Sequence, residues 1–172
     1  MPQIIDPVFS KALIFMIEHN ESGAFGVIIN KKITRGNYKM IKDFLPNNRG
    51  LFAENSEDLF FGGPIRTKED IILKSFPKEF FKPSISPLGI SKANDKKRLE
   101  KNTENQILSK KITGCSSWGP GQLEKEMKNG DWLPQEKHNN IIFCNNPENN
   151  WGSMMKSIGF DTIDIISKGA QA

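Results

Sequence analysis

Two cysteines, two histidines and one tyrosine are all the thiols, imidazoles and phenols that 172 residues hold for metal, acid–base and redox chemistry. Cys115 and Cys144 are not in C-x-x-C spacing and no histidine cluster accompanies them. So few cysteines in so long a chain exclude a disulfide framework, and both are expected as reduced, partly buried thiols. His19 and His138 lie far apart in sequence, and no nucleophile–base pair, Walker loop, dinucleotide fingerprint or metal-ligand spacing is evident. No catalytic residue, metal or cofactor is therefore expected. His19, at the end of an apolar run, reads as a structural hydrogen-bonder before a base. Long apolar runs are also missing. Ala12 to Ile17 is far short of a membrane span, is flanked by Lys11, Glu18 and His19, and is followed by no small-residue cleavage site. The expectation is a cytoplasmic protein with no membrane partner.

What is present is an ordinary globular balance, 37% hydrophobic and 26% charged, at a length that suits a single domain over residues 1–172. The net charge of +4 has a location. Residues 92 to 111 carry Lys92, Lys96, Lys97, Arg98, Lys101, Lys110 and Lys111 against three acids, a surplus equal to that of the whole chain. Such a run could touch phosphates. No aromatic lies between Phe81 and Trp118 to stack a base, and no helix-turn-helix pattern appears, so nucleic-acid binding is expected to be weak and non-specific if it occurs at all.

Two β-compatible runs, Lys11 to Glu18 and Ala24 to Asn30, flank a five-residue connection ending in Gly23, which is a hairpin signal. Both are apolar at nearly every position, so both faces of their sheet should be covered. Tyr38, Ile41, Phe44 and Leu45 repeat at helical spacing up to Pro46, and Asn47 to Asp58 reads as a loop. Leu59 to Phe61 and Ile71 to Leu73 read as short strands, with Gly62-Gly63-Pro64 a sharp turn between them. Pro77, Pro83 and Pro87 predict an irregular segment, Asp95 to Leu108 a charged helix, and Ile107 to Cys115 a returning strand. Ile141 to Cys144 is a short buried strand or helix lead. Asn146-Pro147-Glu148 has the form of a helix start, after which Trp151, Met154, Met155 and Ile158 make a core stripe. Gly159 ends it, with Phe160 folding back on Met155. A hairpin first and helices interspersed later, without regular βαβ alternation, point to an α+β fold.

The stretch from Gly114 to Trp132 carries the most local information. Pro120 is placed as a first helical residue and Gly130 as the residue just past the end, giving a short amphipathic helix over 120–129 with Leu123 and Met127 on its apolar face. Gly119 and Gly121 leave its backbone approachable, and the N–H groups of Gly121, Gln122 and Leu123 are expected to face outward. Glu124 and Glu126 oppose a strong anion there, so a weakly charged partner such as a carbonyl or peptide carboxylate fits better than a polyphosphate.

Several motifs in order resemble one family of small bacterial proteins, AlgH/YqgE. They are Met1-Pro2, Asp6-Pro7 with Phe9, His19-Asn20 with Gly23-Ala24 and Gly26, Ile29-Asn30, Gly62-Gly63-Pro64, the Trp118 to Glu126 signature, Trp132, Trp151, Gly159 and Gly169-Ala170-Gln171-Ala172. The resemblance spans nearly the whole chain. It implies an α+β fold with a bulged, partly open, antiparallel or mixed β-barrel-like sheet and flanking helices. Members usually carry an extra strand before the Met-Pro pair. Its absence here would leave a sheet edge open, for which a homodimer is one cover. Some members have been called transcriptional regulators of exopolysaccharide synthesis, and the family brings no catalytic residues with it.

Two readings of function follow. One is a non-enzymatic binding or regulatory module with a protein or small-molecule partner. The other is an enzyme or small-ligand binder whose site lies where the turns converge, at His19, Asn20, Gly62, Gly63, Pro64, Trp118, Gly119, Gly121, Gln122 and Glu126. Against the second, the glycines can serve tight turns, Trp118 can fill core, and Gln122 and Glu126 can form a polar pair.

Overall fold

The apolar runs become strands, and one of them gathers the others. A computed structural model describes residues 6–45, 52, 58–76, 79–87, 108–136, 139–144 and 146–159. Its strands are β1 (Ile14–Asn20), β2 (Gly23–Ile28), β3 (Leu59–Phe61), β4 (Ile65–Phe76), β5 (Glu79–Pro87) and β6 (Ser109–Trp118). They form one mixed, mostly antiparallel sheet in the order β1-β2-β6-β4-β5, with β3 parallel to β6. Residues 111–113 of β6 pair with both β3 and β4, so these lie on its opposite edges, and residues 116–118 pair with β2. The path of described pairings is open, running from β1 to β5 without closing. Register shifts interrupt it between Met16 and Glu18, between Lys74 and Phe76, and between Ile65 and Asp70.

Four local expectations change. The hairpin connection is Glu21-Ser22, not five residues. His19 and Asn20 belong to β1, paired with Ala24 and Gly23, because Asn20 Oδ1 accepts the Ser22 N–H at 2.8 Å and turns the chain early. The proline-marked segment is strand β5, not irregular chain. It lies at the end of the sheet, where a missing N–H costs least. Ile71 to Leu73 is the middle of a twelve-residue strand. Lys110, counted among the charged run, is buried. Its ammonium donates to Ile29 O at 2.8 Å and sits 4.2 Å from the Phe60 ring centroid. The expected helix over Asp95 to Leu108, most of the Asn47 to Asp58 loop, Pro46, His138 and Phe160 lie outside the described residues.

Both faces of the sheet are covered, as the unbroken apolar runs require. Val27, Ile29, Phe60, Ile71, Leu73, Ile112 and Cys115 pack with Ile142. Their strand neighbours Ile28 and Phe61 point the other way, onto Val8, Ala12, Ile33, Ile41 and Leu45. Helix α1 (Tyr38–Ile41), continued by a 3-10 turn over Lys42–Phe44, supplies part of this second layer.

Three further helices follow β6: α2 (Gln122–Lys128), α3 (Asn139–Ile142) and α4 (Asn150–Ser157), the last led in by a 3-10 turn over Pro147–Asn149. Pro120 is not the first helical residue of α2. It lies in the turn before a left-handed Gly121, which takes the capping position, and the helix starts at Gln122. The other end is as read. Gly130 is left-handed, its N–H reaches Met127 O and that of Asp131 reaches Glu126 O, a Schellman closure. Trp151, Met154 and Met155 are buried, and Ile158 is half-buried.

The closest approach between backbones is at the Gly-Gly-Pro turn. A Cβ on Gly62 would lie 2.3 Å from Gly114 O, and one on Gly63 2.2 Å from Cys115 O. Gly62 N–H donates to Thr113 O, and Gly62 O accepts from Ile28 N–H and from Ser116 Oγ. The turn is thus the place where β2, β3 and β6 meet. Gly63→Ala, which adds the clash to an unfavourable φ of +145°, is expected to cost roughly 2–4 kcal/mol. Gly130→Ala, with φ +78° and open space around the added methyl, should cost only about 1 kcal/mol. Urea unfolding midpoints of the two variants read the difference, and equal losses would remove the crossing as the cause.

Candidate functional site

The turn after β6 is held by its own side chains. Gly119 N–H donates to Gln122 Oε1 at 3.0 Å, and Gln122 N–H donates to Gly119 O at 3.1 Å. Gln122 Nε2 donates to Glu126 Oε1 at 2.8 Å. The other oxygen, Glu126 Oε2, accepts from two indoles, Trp118 Nε1 at 2.8 Å and Trp132 Nε1 at 2.7 Å. The two rings meet edge to face, with centroids 5.8 Å apart, and Phe9 stacks edge-on against Trp132 at 6.0 Å. One carboxylate therefore fixes the end of β6, helix α2 and the chain leaving it. Charge-assisted bonds to a partly buried carboxylate are the strong kind.

The nominated residues fall into two groups. The hairpin tip and the Trp118 turn are brought together: a Cβ on Gly23 would meet Trp118 O at 2.3 Å, and His19 Nε2 lies 2.5 Å from Glu124 Oε1. That contact holds the Glu124 carboxyl below its ordinary range, with the backbone adding to the effect. Asn20 Nδ2 reaches Glu18 Oε1. Gly62, Gly63 and Pro64 sit elsewhere, against the middle of β6. Of the N–H groups expected to face outward at the start of α2, that of Gln122 is taken by Gly119.

Under this turn lies a cavity of about 430 Å³. Residues 12–16 form one side, α2 contributes Leu123 and Met127, residues 132–136 form the rim, and α3 and α4 close it with Ile141, Ile142, Trp151, Met154, Met155 and Ile158. All three tryptophans of the chain line it, though they come from three separate segments. Trp132 and Trp151 are the functional candidates that the sequence reading treated only as family markers or core. Their shared destination leaves no local signal, because each is separately explained as a hydrophobic residue near a turn or helix. Of the nominated residues, Trp118 lines the cavity, and Gln122 and Glu126 brace it from behind.

Burial sets the other titratable groups. It lowers the Lys110 ammonium to about 8, with Cys144 nearby drawing it back up. It pushes the Cys115 thiol up to about 11, against the pull of Arg66. Lys111, by contrast, reaches Asp70 Oδ2 at 3.5 Å. Thus neither described lysine of the basic run stands as a free charge for phosphate. Among the described residues no three His, Cys, Asp or Glu side chains are grouped to hold a metal, and no helix is long and apolar enough to cross a membrane. Both cysteines are free, Cys115 buried and Cys144 half-buried with Asn150 Nδ2 2.8 Å from its sulfur.

Comparison with known proteins gives a consistent outcome. The family model described as AlgH-like matches residues 1–163. A UPF0301 protein of Rickettsia massiliae is 29% identical over 167 residues, covering 94% of this chain and 85% of the relative. The solution structure of the AlgH protein from Pseudomonas aeruginosa superposes with a TM-score of 0.61 at 25% identity, over 100% of this chain and 90% of that one. A crystal structure of a Corynebacterium diphtheriae protein, at 19% identity, shares the fold with a TM-score of 0.58 over 91% of this chain and 82% of that one.

Two measurements test the energetics. Glu126→Leu strips the acceptor from both indoles and should cost roughly 2–4 kcal/mol, whereas Glu126→Gln, which keeps a carbonyl oxygen, should cost clearly less. Equal unfolding midpoints for the two variants would show that the shared carboxylate does not hold the site. For Lys110, a folded-state value below the ordinary 10.5 means that the unfolded chain binds the extra proton between about pH 8 and 10.5. The cost of its charge is full below pH 8 and is relieved as pH rises through that window. Relative to Lys110→Met, wild type should gain up to about 3 kcal/mol from pH 8 to 10.5, the Cys115 contribution cancelling between the two proteins. A difference that stays flat with pH would contradict a buried ammonium.

Proposed function

The chain belongs to the AlgH-like family, and from that membership we propose that it is a non-catalytic, cytoplasmic binding module that takes a small apolar ligand into the cavity beneath the Trp118 turn. One observation carries the reading. Trp118, Trp132 and Trp151 converge with Met127, Met154 and Met155 on a space of about 430 Å³. Sites for small molecules are concave, mostly apolar, and carry few polar groups, and flexible thioethers adapt to a guest. The glycine turns then act as scaffold: they let Trp118 and α2 approach β2 closely enough to roof the cavity. A regulatory role, of the kind the resemblance implies, would be exerted by ligand-dependent stiffening of this roof, and not by direct contact with nucleic acid.

The test uses ethylbenzene as a plain apolar probe. A ligand that binds only the folded chain raises its stability by about 1.4 kcal/mol at ten times its dissociation constant. Saturating ethylbenzene is therefore expected to raise the thermal midpoint, and Met127→Trp, which fills the space, to abolish that rise while leaving the protein folded. If wild type and Met127→Trp respond alike, the cavity is not the binding place. If neither responds, the module reading fails.

A further inference from the structure

Three tryptophans line the cavity, and their indole N–H donors are not equivalent. Those of Trp118 and Trp132 are spent on Glu126. The third, Trp151 Nε1, is buried and has no hydrogen-bond partner among the described residues, although Trp151 itself is only 6% exposed and its side chain is part of the wall. A donor in that state forfeits the free energy of a hydrogen bond, and the forfeit is recovered by whatever brings it an oxygen. The neighbouring charges say what kind of oxygen. Glu136 lies on the rim and Glu126 stands behind the other two indoles, which disfavours an anion in the cavity. Among the described residues, Lys11 sets a cation over the Trp151 ring, its Nζ 5.8 Å from the centroid, and is not part of the lining.

Resting on the cavity as the binding place, we propose that its ligand is an uncharged molecule with an apolar body and one carbonyl oxygen, a ketone, ester or amide, whose oxygen accepts the N–H of Trp151. Nε1 is covered in this structure. The hydrogen bond therefore requires the indole to turn toward the guest. An apolar guest without an oxygen fills the same space but leaves the donor as it is.

The experiment compares three probes of similar size on the full-length, ¹⁵N-labelled protein: ethylbenzene, acetophenone and benzoate. The three indole N–H resonances are read directly, each assigned in the wild type by through-space connections from its ring to its own backbone. Acetophenone is expected to bind about 3- to 10-fold more tightly than ethylbenzene, the worth of one neutral hydrogen bond. It should move the Trp151 resonance downfield and shift those of Trp118 and Trp132 little. In Trp151→Phe the preference for acetophenone over ethylbenzene should vanish, whatever change the smaller ring makes to the affinity of both. If that variant does not fold, the resonance shifts of the wild type decide alone. Equal binding of acetophenone and ethylbenzene with an unmoved Trp151 resonance overturns the carbonyl assignment and leaves the cavity reading intact. Tighter binding of benzoate than of acetophenone overturns the choice of an uncharged ligand. If none of the three binds, the cavity reading itself falls, and this inference with it.

Discussion

Two backbones run so close together at Gly62-Gly63 and Gly114-Cys115 that no methyl group fits between them. Much else follows from that contact. It lets a three-residue strand, β3, lie parallel to β6 and end where β2 ends, so that a single carbonyl, Gly62 O, serves both Ile28 and Ser116. With β2 and β3 consecutive along one edge of β6 and β4 along the other, β2 and β3 feed both apolar layers with alternate residues, while β4 and β6 feed the first. A side chain at the crossing would push β3 away from β6 and open both layers at once.

Beyond the crossing, the last three residues of β6 carry the chain to Trp118, and there the organising group changes from backbone to side chain. A carboxylate has lone pairs enough for several donors, and Glu126 uses them on two tryptophans and a glutamine. A seven-residue helix has little stability of its own. Here it is anchored at the front by the Gly119–Gln122 pair, in the middle by Glu126 and at the back by the left-handed Gly130. The cavity exists because this anchoring is done from outside. The N–H groups of Trp118 and Trp132 go to Glu126, which is not part of the lining, while their rings and the thioethers line the space.

The parts legible in the sequence were those governed by local rules. Apolar runs and turn chemistry pointed to the hairpin and the glycine exit of α2, and helical spacing to the Trp151–Met155 stripe. The misplaced details were those decided by neighbours distant in the chain. Prolines mark irregular chain unless the strand lies at the end of a sheet, and only the topology puts β5 there. A lysine in a basic run reads as solvated, yet Lys110 finds Ile29 O from 81 positions away and Phe60 beneath it. The candidate site was half visible. The residues bracing it, Trp118, Gln122 and Glu126, stand together in sequence, whereas the cavity they brace is assembled from residues 12–16, 132–136 and α4. Of the bulged, partly open, barrel-like sheet that the resemblance implied, the described pairings carry the open mixed sheet and its register shifts, and they run from β1 to β5 without closing.

The place of β6 in the chain also sets an order of assembly. Before it is synthesised, the described strands can pair only in pieces: β1 with β2, β4 with β5, and residue 32 with β3. No described ladder joins these pieces except through β6, which reaches β2, β3 and β4 together. On the ribosome the described strands that precede residue 109 thus have only these short ladders open to them until it arrives. The arrival of residues 109–118 closes loops of very different length in a single event. The strand that ends at the Trp118 turn is therefore also the one on which a nascent chain waits.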